Sequence, residues 1–128
     1  MLYRGVSAMD LLEVFKDSED KVEFSAGTVI IREGQEGNRM YVVMEGEVSI
    51  ALGNKVVAMA SAGEIVGEMA LINSDLRTAT VTAQTDCLLA VIDQSSFESL
   101  LQHVPDFTLH VMNVLADRLR IAYGMIES

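Results

Sequence analysis

Tryptophan is absent from the 128 residues, and the chain has one cysteine and one proline. A lone cysteine, Cys87, cannot close an internal disulfide, which fits a reducing compartment. It also excludes a cysteine-ligated zinc or iron–sulfur site built within one chain. Histidine is nearly as scarce. His103 and His110 are seven positions apart and late in the sequence, with no His-x-His arrangement, so no metal is expected. Basic residues are few, 9 Lys and Arg against 19 Asp and Glu, for a net charge of −10. That balance supplies no basic surface for a nucleic acid, and any anionic ligand must be captured locally against the overall field. No segment approaches the roughly 18–20 consecutive apolar residues of a membrane span, and Met1-Leu2-Tyr3-Arg4-Gly5 does not open a signal peptide. The expectation is a cytoplasmic protein with neither a membrane nor a nucleic-acid partner.

Catalytic signatures are missing as well. There is no Gly-x-Ser-x-Gly elbow, no Gly-x-Gly-x-x-Gly and no Walker-type loop, and Cys87 sits in the apolar run Cys87–Ile92, where it reads as a core residue. The chain is expected to be a binder and not an enzyme. Half of its residues are hydrophobic, enough for a single ordered domain over 1–128.

Leu11, Leu12 and Phe15 have helical spacing and predict a short amphipathic helix within 8–19. From residue 20 to 93 the rhythm is that of strands. Val22 and Phe24 alternate with polar neighbours, and Thr28–Ile31, Met40–Met44, Val48–Leu52, Val56–Ala60, Arg77–Ala83 and Cys87–Ile92 follow. Glu33–Asn38 is a polar loop with Gly34 and Gly37, and Gly53-Asn54 is a two-residue hairpin turn. This cadence indicates a mainly β antiparallel sandwich or roll with flanking helices, not βαβ units. Within 95–126, Ser95 or Ser96 is placed to cap a helix through Phe97, Leu100 and Leu101. Pro105 then starts a longer one with Asp106 in its first turn. Met112, Leu115, Leu119, Ala122 and Ile126 step along it as a coiled-coil seam does. Beside them runs a second row of Phe107, Val111, Val114, Ile121 and Met125. A single wide core-facing stripe is the ordinary reading of such a helix, but a lone long helix at the end of a roll has too little roll to bury both rows. Homodimerisation through this helix is the expectation.

The stretch 65–81, IVGEMALINSDLRTATV, holds the candidate chemistry. A one-turn helix is expected after Gly67, and the chain then brings one arginine, Arg77, back beside its start. Helix N-termini present unpaired N–H groups and favour an anion. Gly67 leaves room for close approach, and Arg77 adds a planar, always-charged fork suited to phosphate oxygens. Glu68 is a carboxylate where an anion should bind, and it makes sense facing sugar hydroxyls on the same ligand. Individually, a first-turn glutamate and a strand-start arginine are ordinary surface residues, so the reading rests on their conjunction. Arg77 is expected to lie outside the core.

Gly67-Glu68-Met69-Ala70-Leu71-Ile72 followed by Arg77-Thr78-Ala79-Thr80 resembles the phosphate-binding cassette of cyclic nucleotide-binding domains. The nine positions from Glu68 to Arg77 are a spacing that family uses, and Val66 and Leu76 depart from its usual Phe and Pro. The resemblance covers about residues 20–125. It implies an eight-stranded jelly-roll β-roll (a double-stranded β-helix) with a short N-terminal and a long C-terminal helix, and a cyclic nucleotide, cAMP or cGMP, as ligand. Glu68 would hold the ribose 2′-hydroxyl and Arg77 the cyclic phosphate. Backbone N–H groups around Gly67, Glu68, Met69 and Ala70 and at Ala79 would complete the anion site. Thr78 leaves cGMP open, with cAMP favoured. Ala122, Tyr123 or Arg118 would cover the base from the last helix, which in cyclic nucleotide-responsive transcription regulators is both dimer axis and lid. DNA binding of that kind would need a helix-turn-helix after the helix. The sequence ends at Ser128 instead, leaving a stand-alone sensor with a downstream protein partner, favoured by Met1, or a piece of a larger regulator. Two alternatives stand beside this one. The first is a structural or protein-interaction domain of the same fold with a vestigial pocket. The second is a cupin-type metal enzyme, which the histidine positions oppose.

Overall fold

The computed structural model of the chain describes residues 10–68, 71, 77 and 79–127, without the side chains at 122, 123 and 125–127. Residues 10–94 form one compact unit, and 95–127 are the described part of a second.

The first unit opens with α1, Leu11–Phe15, whose N-cap Asp10 accepts a hydrogen bond from the Glu13 N–H at 3.3 Å and so satisfies one of the helix's orphan donors. The helix is shorter than the amphipathic pattern suggests. Leu11 is its fully buried residue, and the element packs against β3. Eight strands follow among the described residues: β1 Lys21–Phe24, β2 Val29–Ile31, β3 Arg39–Glu45, β4 Glu47–Leu52, β5 Lys55–Ser61, β6 Ile65–Val66, β7 Thr80–Ala83 and β8 Cys87–Asp93. They form two four-stranded antiparallel sheets, ordered β1-β8-β3-β6 and β2-β7-β4-β5. The sequence rhythm and the resemblance both lead to this mainly β roll.

Alternation along β4 sets the inner face of the second sheet. Val48 lies between Ala60 and Ala83, and Ile50 between Ala58 and Val81. Each large β-branched side chain is thus flanked by at least one alanine, which allows close packing on the pleat. These residues meet Tyr41, Val43, Val66, Leu89 and Val91 of the first sheet in one core. Met40, Val42, Ala90 and Ile92, at the alternate positions of β3 and β8, are buried too. Burial at both sets of positions explains why these strands read as continuous apolar runs. Cys87 is buried, with Sγ donating toward the carbonyls of Glu47 and Thr85. Gly53-Asn54 closes the β4–β5 hairpin between the paired residues Leu52 and Lys55. Positive φ occurs at Gly53 alone of the two, the pattern of a II′ turn that suits strand twist.

Two boundaries differ from expectation. β7 begins at Thr80 and not at Arg77, because the Arg77 backbone is bonded instead to the loop after β2. Helix α2, Gln94–His103, begins directly where β8 ends, so Ser95 and Ser96 lie inside it and do not cap it. In the second unit Pro105 is the first residue of α3, Pro105–Glu127, where its missing N–H removes nothing. Phe97 of α2 meets Phe107 of α3 edge-on, ring centroids 5.9 Å apart. Exposure varies along the apolar rows of α3, and Ile121 of the Phe107 row is itself exposed. Phe107 and Val111 are buried, whereas Met112 is 58% and Leu119 55% exposed.

Leu89 is fully buried between the two sheets. Leu89→Ala is expected to destabilise the protein by about 2–5 kcal/mol, through lost transfer energy and a residual cavity, read from the shift of the urea-unfolding midpoint.

Candidate functional site

The site grows out of the end of β6. Ile65 and Val66 pair with Val42 and Tyr41 of β3 and are fully buried, so valine at 66 serves as a core residue. The chain then turns at Gly67, whose φ is +82°. A side chain at this φ is strained, and it would also lack space. A Cβ there would stand 3.0 Å from Ile31 Cδ1, 3.1 Å from the Arg39 carbonyl oxygen and 3.1 Å from Arg77 Nη1. The glycine is therefore required by its turn and by close packing against protein groups, a reason additional to ligand access.

Glu68 follows, 1% exposed, and Arg77 is 9% exposed. Their burial corrects the expectation that Arg77 lies outside the core. The guanidinium is enclosed and donates from Nη1 to the Gly67 carbonyl at 3.0 Å. Burial pushes the Arg77 pKa down from its ordinary value, while Tyr41 and then Glu68 act in the opposite direction and favour the charged form. Arginine remains protonated throughout the accessible pH range, so the arrangement is a buried, fixed positive charge beside a carboxylate and a phenol. Removing charged groups from water costs several kcal/mol each unless they are compensated. Mutual compensation is what the proximity of Glu68 supplies.

Local backbone bonding explains how Arg77 is held. Its carbonyl accepts from the Gly34 N–H at 2.8 Å, and its own N–H donates to the Gln35 carbonyl at 2.7 Å. The loop 32–38 is fixed in turn. The Glu33 N–H donates to Thr80 Oγ1 at 3.1 Å, and Glu33 Oε1 accepts from the Gly53 N–H at 2.9 Å. Leu71 is helical, its N–H bonded to the Glu68 carbonyl at 3.1 Å and its carbonyl accepting from Gln94 Nε2 at 3.3 Å.

Of the expected site residues, Gly67, Glu68 and Arg77 are brought together. Ala79 packs, half-buried, against the core. Met69, Ala70 and Thr78 lie outside the described residues, as does the side chain of Tyr123 on α3. Two contributors escaped the sequence reading. The sequence marks Glu33–Asn38, with Gly34 and Gly37, only as a polar loop, and Tyr41, set edge-on to Phe24, only as a strand residue. A pair of glycines three apart in a polar loop was the available signal for the first. Nothing in the sequence distinguishes Tyr41 from a core tyrosine. No cluster of metal-ligating side chains occurs among the described residues, and no helix there is long and apolar enough to cross a membrane.

Gly67→Ala is expected to destabilise the unliganded protein by about 1–3 kcal/mol, because the new residue must hold a left-handed backbone in occupied space. Thermal melting checks this.

Comparison with known proteins follows the same geometry. The chain is 37% identical over 91 residues to the cAMP-dependent protein kinase regulatory subunit of Schizosaccharomyces pombe, covering 70% of this chain and 22% of that protein. It is 38% identical over 79 residues to the cGMP-dependent protein kinase egl-4 of Caenorhabditis elegans, covering 62% of this chain and 10% of that one. The chain thus spans about a fifth or less of the length of these relatives. A solved structure described as cAMP-bound PfPKA-R superposes with a TM-score of 0.76 at 25% identity, over 96% of this chain and 46% of its own. The family model for the cyclic nucleotide-binding domain matches residues 21–104, a span that takes in all eight strands, Glu68 and Arg77, and the chain belongs to that family.

Proposed function

We propose that this chain is a sensor domain for cyclic nucleotides, cAMP first and cGMP second. The observation that carries the reading is the convergence of buried Glu68 and buried Arg77 at the end of β6. A cyclic nucleotide has one phosphate and, a few ångströms away, a ribose hydroxyl. A fixed guanidinium meets the first demand, and a carboxylate, which can only accept hydrogen bonds, meets the second. In this reading the phosphate also takes backbone N–H groups from the segment Gly67, Glu68, Met69 and Ala70 and from Ala79. Thr78 discriminates between the bases, and Tyr123 on α3 covers the base. The names of the relatives, one cAMP-dependent and one cGMP-dependent, support the ligand class.

The domain is then regulatory and not catalytic, binds no metal, works in the cytoplasm and passes its state to a downstream protein. Ligand binding moves the C-terminal helix only to the extent that the nucleotide binds one position of that helix more tightly than another. The exposed Met112 and Leu119, seven residues apart on α3, support a homodimer with this face at its seam.

Calorimetric titration with cAMP and with cGMP tests the ligand. One nucleotide bound per chain is expected. No binding to millimolar nucleotide, with no shift of the melt, would leave the fold standing with a pocket that no longer functions. Arg77→Lys keeps a charge beside Glu68 but loses the fork, and is expected to weaken cAMP by at least about 1.4 kcal/mol, or tenfold. Arg77→Ala is expected to cost about 2–5 kcal/mol of binding and, because it strips a buried carboxylate of its counter-charge, to lower the unliganded melting temperature as well.

The dimer is tested by sedimentation. Met112→Glu together with Leu119→Glu is expected to convert a dimer to a monomer with its β-roll intact, and a wild-type protein that stays monomeric at all concentrations refutes the seam.

A further inference from the structure

Among the described residues Gly27, Gly34, Gly46, Gly53, Gly63 and Gly67 adopt positive φ, and their turns call for glycine on conformational grounds. Gly37 is different. Its φ lies outside the left-handed region, so φ does not call for glycine, yet a Cβ there would overlap the Arg77 side chain at Nε, Cζ and Nη2. The three atoms nearest such a Cβ all belong to the guanidinium end of Arg77. The overlapping atoms all belong to the far end of a flexible side chain. Alanine could therefore be accommodated by moving the guanidinium aside, with the backbone of the loop left where it is.

We propose that Gly37 is a positioning residue for the ligand: it keeps clear the space in which the Arg77 fork is aimed. This rests on the cyclic nucleotide reading of the pocket. Three contacts define the fork's place. The Gly34 and Gln35 backbone bonds fix the Arg77 backbone, and the Gly67 carbonyl takes Nη1. Gly37, lacking a side chain, leaves the room in which the Nε–Cζ–Nη2 side of the guanidinium lies. A side chain at 37 would fill that room and push the fork off its aim, and a misplacement of about 1 Å lowers a productive interaction by as much as a hundredfold. A structural glycine and a positioning glycine then differ in what they protect. Loss of the first destabilises the fold, whereas loss of the second weakens binding and leaves the fold alone.

The test has two parts. First, cAMP affinity and unliganded melting are measured for Gly37→Ala, Arg77→Lys and the double variant. Gly37→Ala is expected to weaken cAMP at least about tenfold with the melting temperature within about 4 °C of wild type. In the Arg77→Lys background, where there is no fork to displace, the same change is expected to cost less than about threefold, a non-additivity that marks direct coupling. An equal loss in both backgrounds, or a lowered melt without a selective loss of affinity, overturns the proposal. Second, the Arg77 Nε–H resonance of the unliganded protein is assigned by its disappearance in Arg77→Lys. Gly37→Ala is expected to shift it or to speed its exchange with water, and an unchanged resonance overturns the proposal. This second readout needs no nucleotide. If the wild type binds neither cAMP nor cGMP, the sensor reading fails by itself, while the resonance still decides whether Gly37 positions Arg77.

Discussion

A buried guanidinium acting beside a buried carboxylate is the constraint on which the rest of this site depends. Neither Arg77 nor Glu68 has water enough to solvate its charge, and an uncompensated ion in such a place would be expelled or neutralised. The surrounding backbone is arranged so that this does not happen. Gly67 turns through a left-handed conformation and presents its carbonyl to Arg77, and the loop after β2 holds the Arg77 main chain by two hydrogen bonds. In a chain with a net charge of −10, a fixed and enclosed cation is a group suited to attracting an anion against the overall field. Screening by salt acts weakly on enclosed charges, so that attraction survives at physiological ionic strength.

The roll contributes rigidity at the places where the site needs it. β4 is paired on both sides and β3 on both sides; Glu68 follows β6, a neighbour of β3, and the loop that holds the Arg77 backbone runs from β2 into β3. The loop 32–38 is fastened at two points, to the start of β7 through Thr80 and to the β4–β5 turn through Gly53. Fastening of this kind lowers the entropy to be lost when a ligand arrives. The site thereby rests on elements whose own stability comes from apolar packing between the sheets.

Much of this was legible in the sequence, and the physical reasons are particular. The alternation of Val48 and Ile50 with Ser49 and Ala51, and the glycine-marked turns, gave the strands, because a two-layer sheet imposes period two on whatever covers its core. Glu68 and Arg77 were legible because their conjunction is chemically unusual. The burial of Arg77 was not legible, since an arginine beside a strand is ordinarily solvated, and several of the groups around it, Gly34, Gln35, Gly37 and Tyr41, lie more than thirty positions earlier. The late start of β7 has the same origin, since backbone partners in a distant loop leave no trace in local propensity. Gly37 was visible as a glycine but not as a neighbour of Arg77. Proximity across that distance is a property of the fold and not of the segment.

The placement of Arg77 also bears on how a signal would arise in the proposed sensor. The fork is held with Nη1 on the Gly67 carbonyl, a contact made within residues 10–94. An interaction that is equally good in two conformations tightens binding and shifts nothing. Affinity and switching are therefore separable demands on this domain. In the proposed sensor, contacts to Glu68 and Arg77 that are equal in both positions of the C-terminal helix would add affinity alone, and any shift of that helix would have to come from contacts that exist in one position of it alone. In the proposed reading those contacts are the ones to the base, which leaves the two ends of one small ligand with two different thermodynamic tasks.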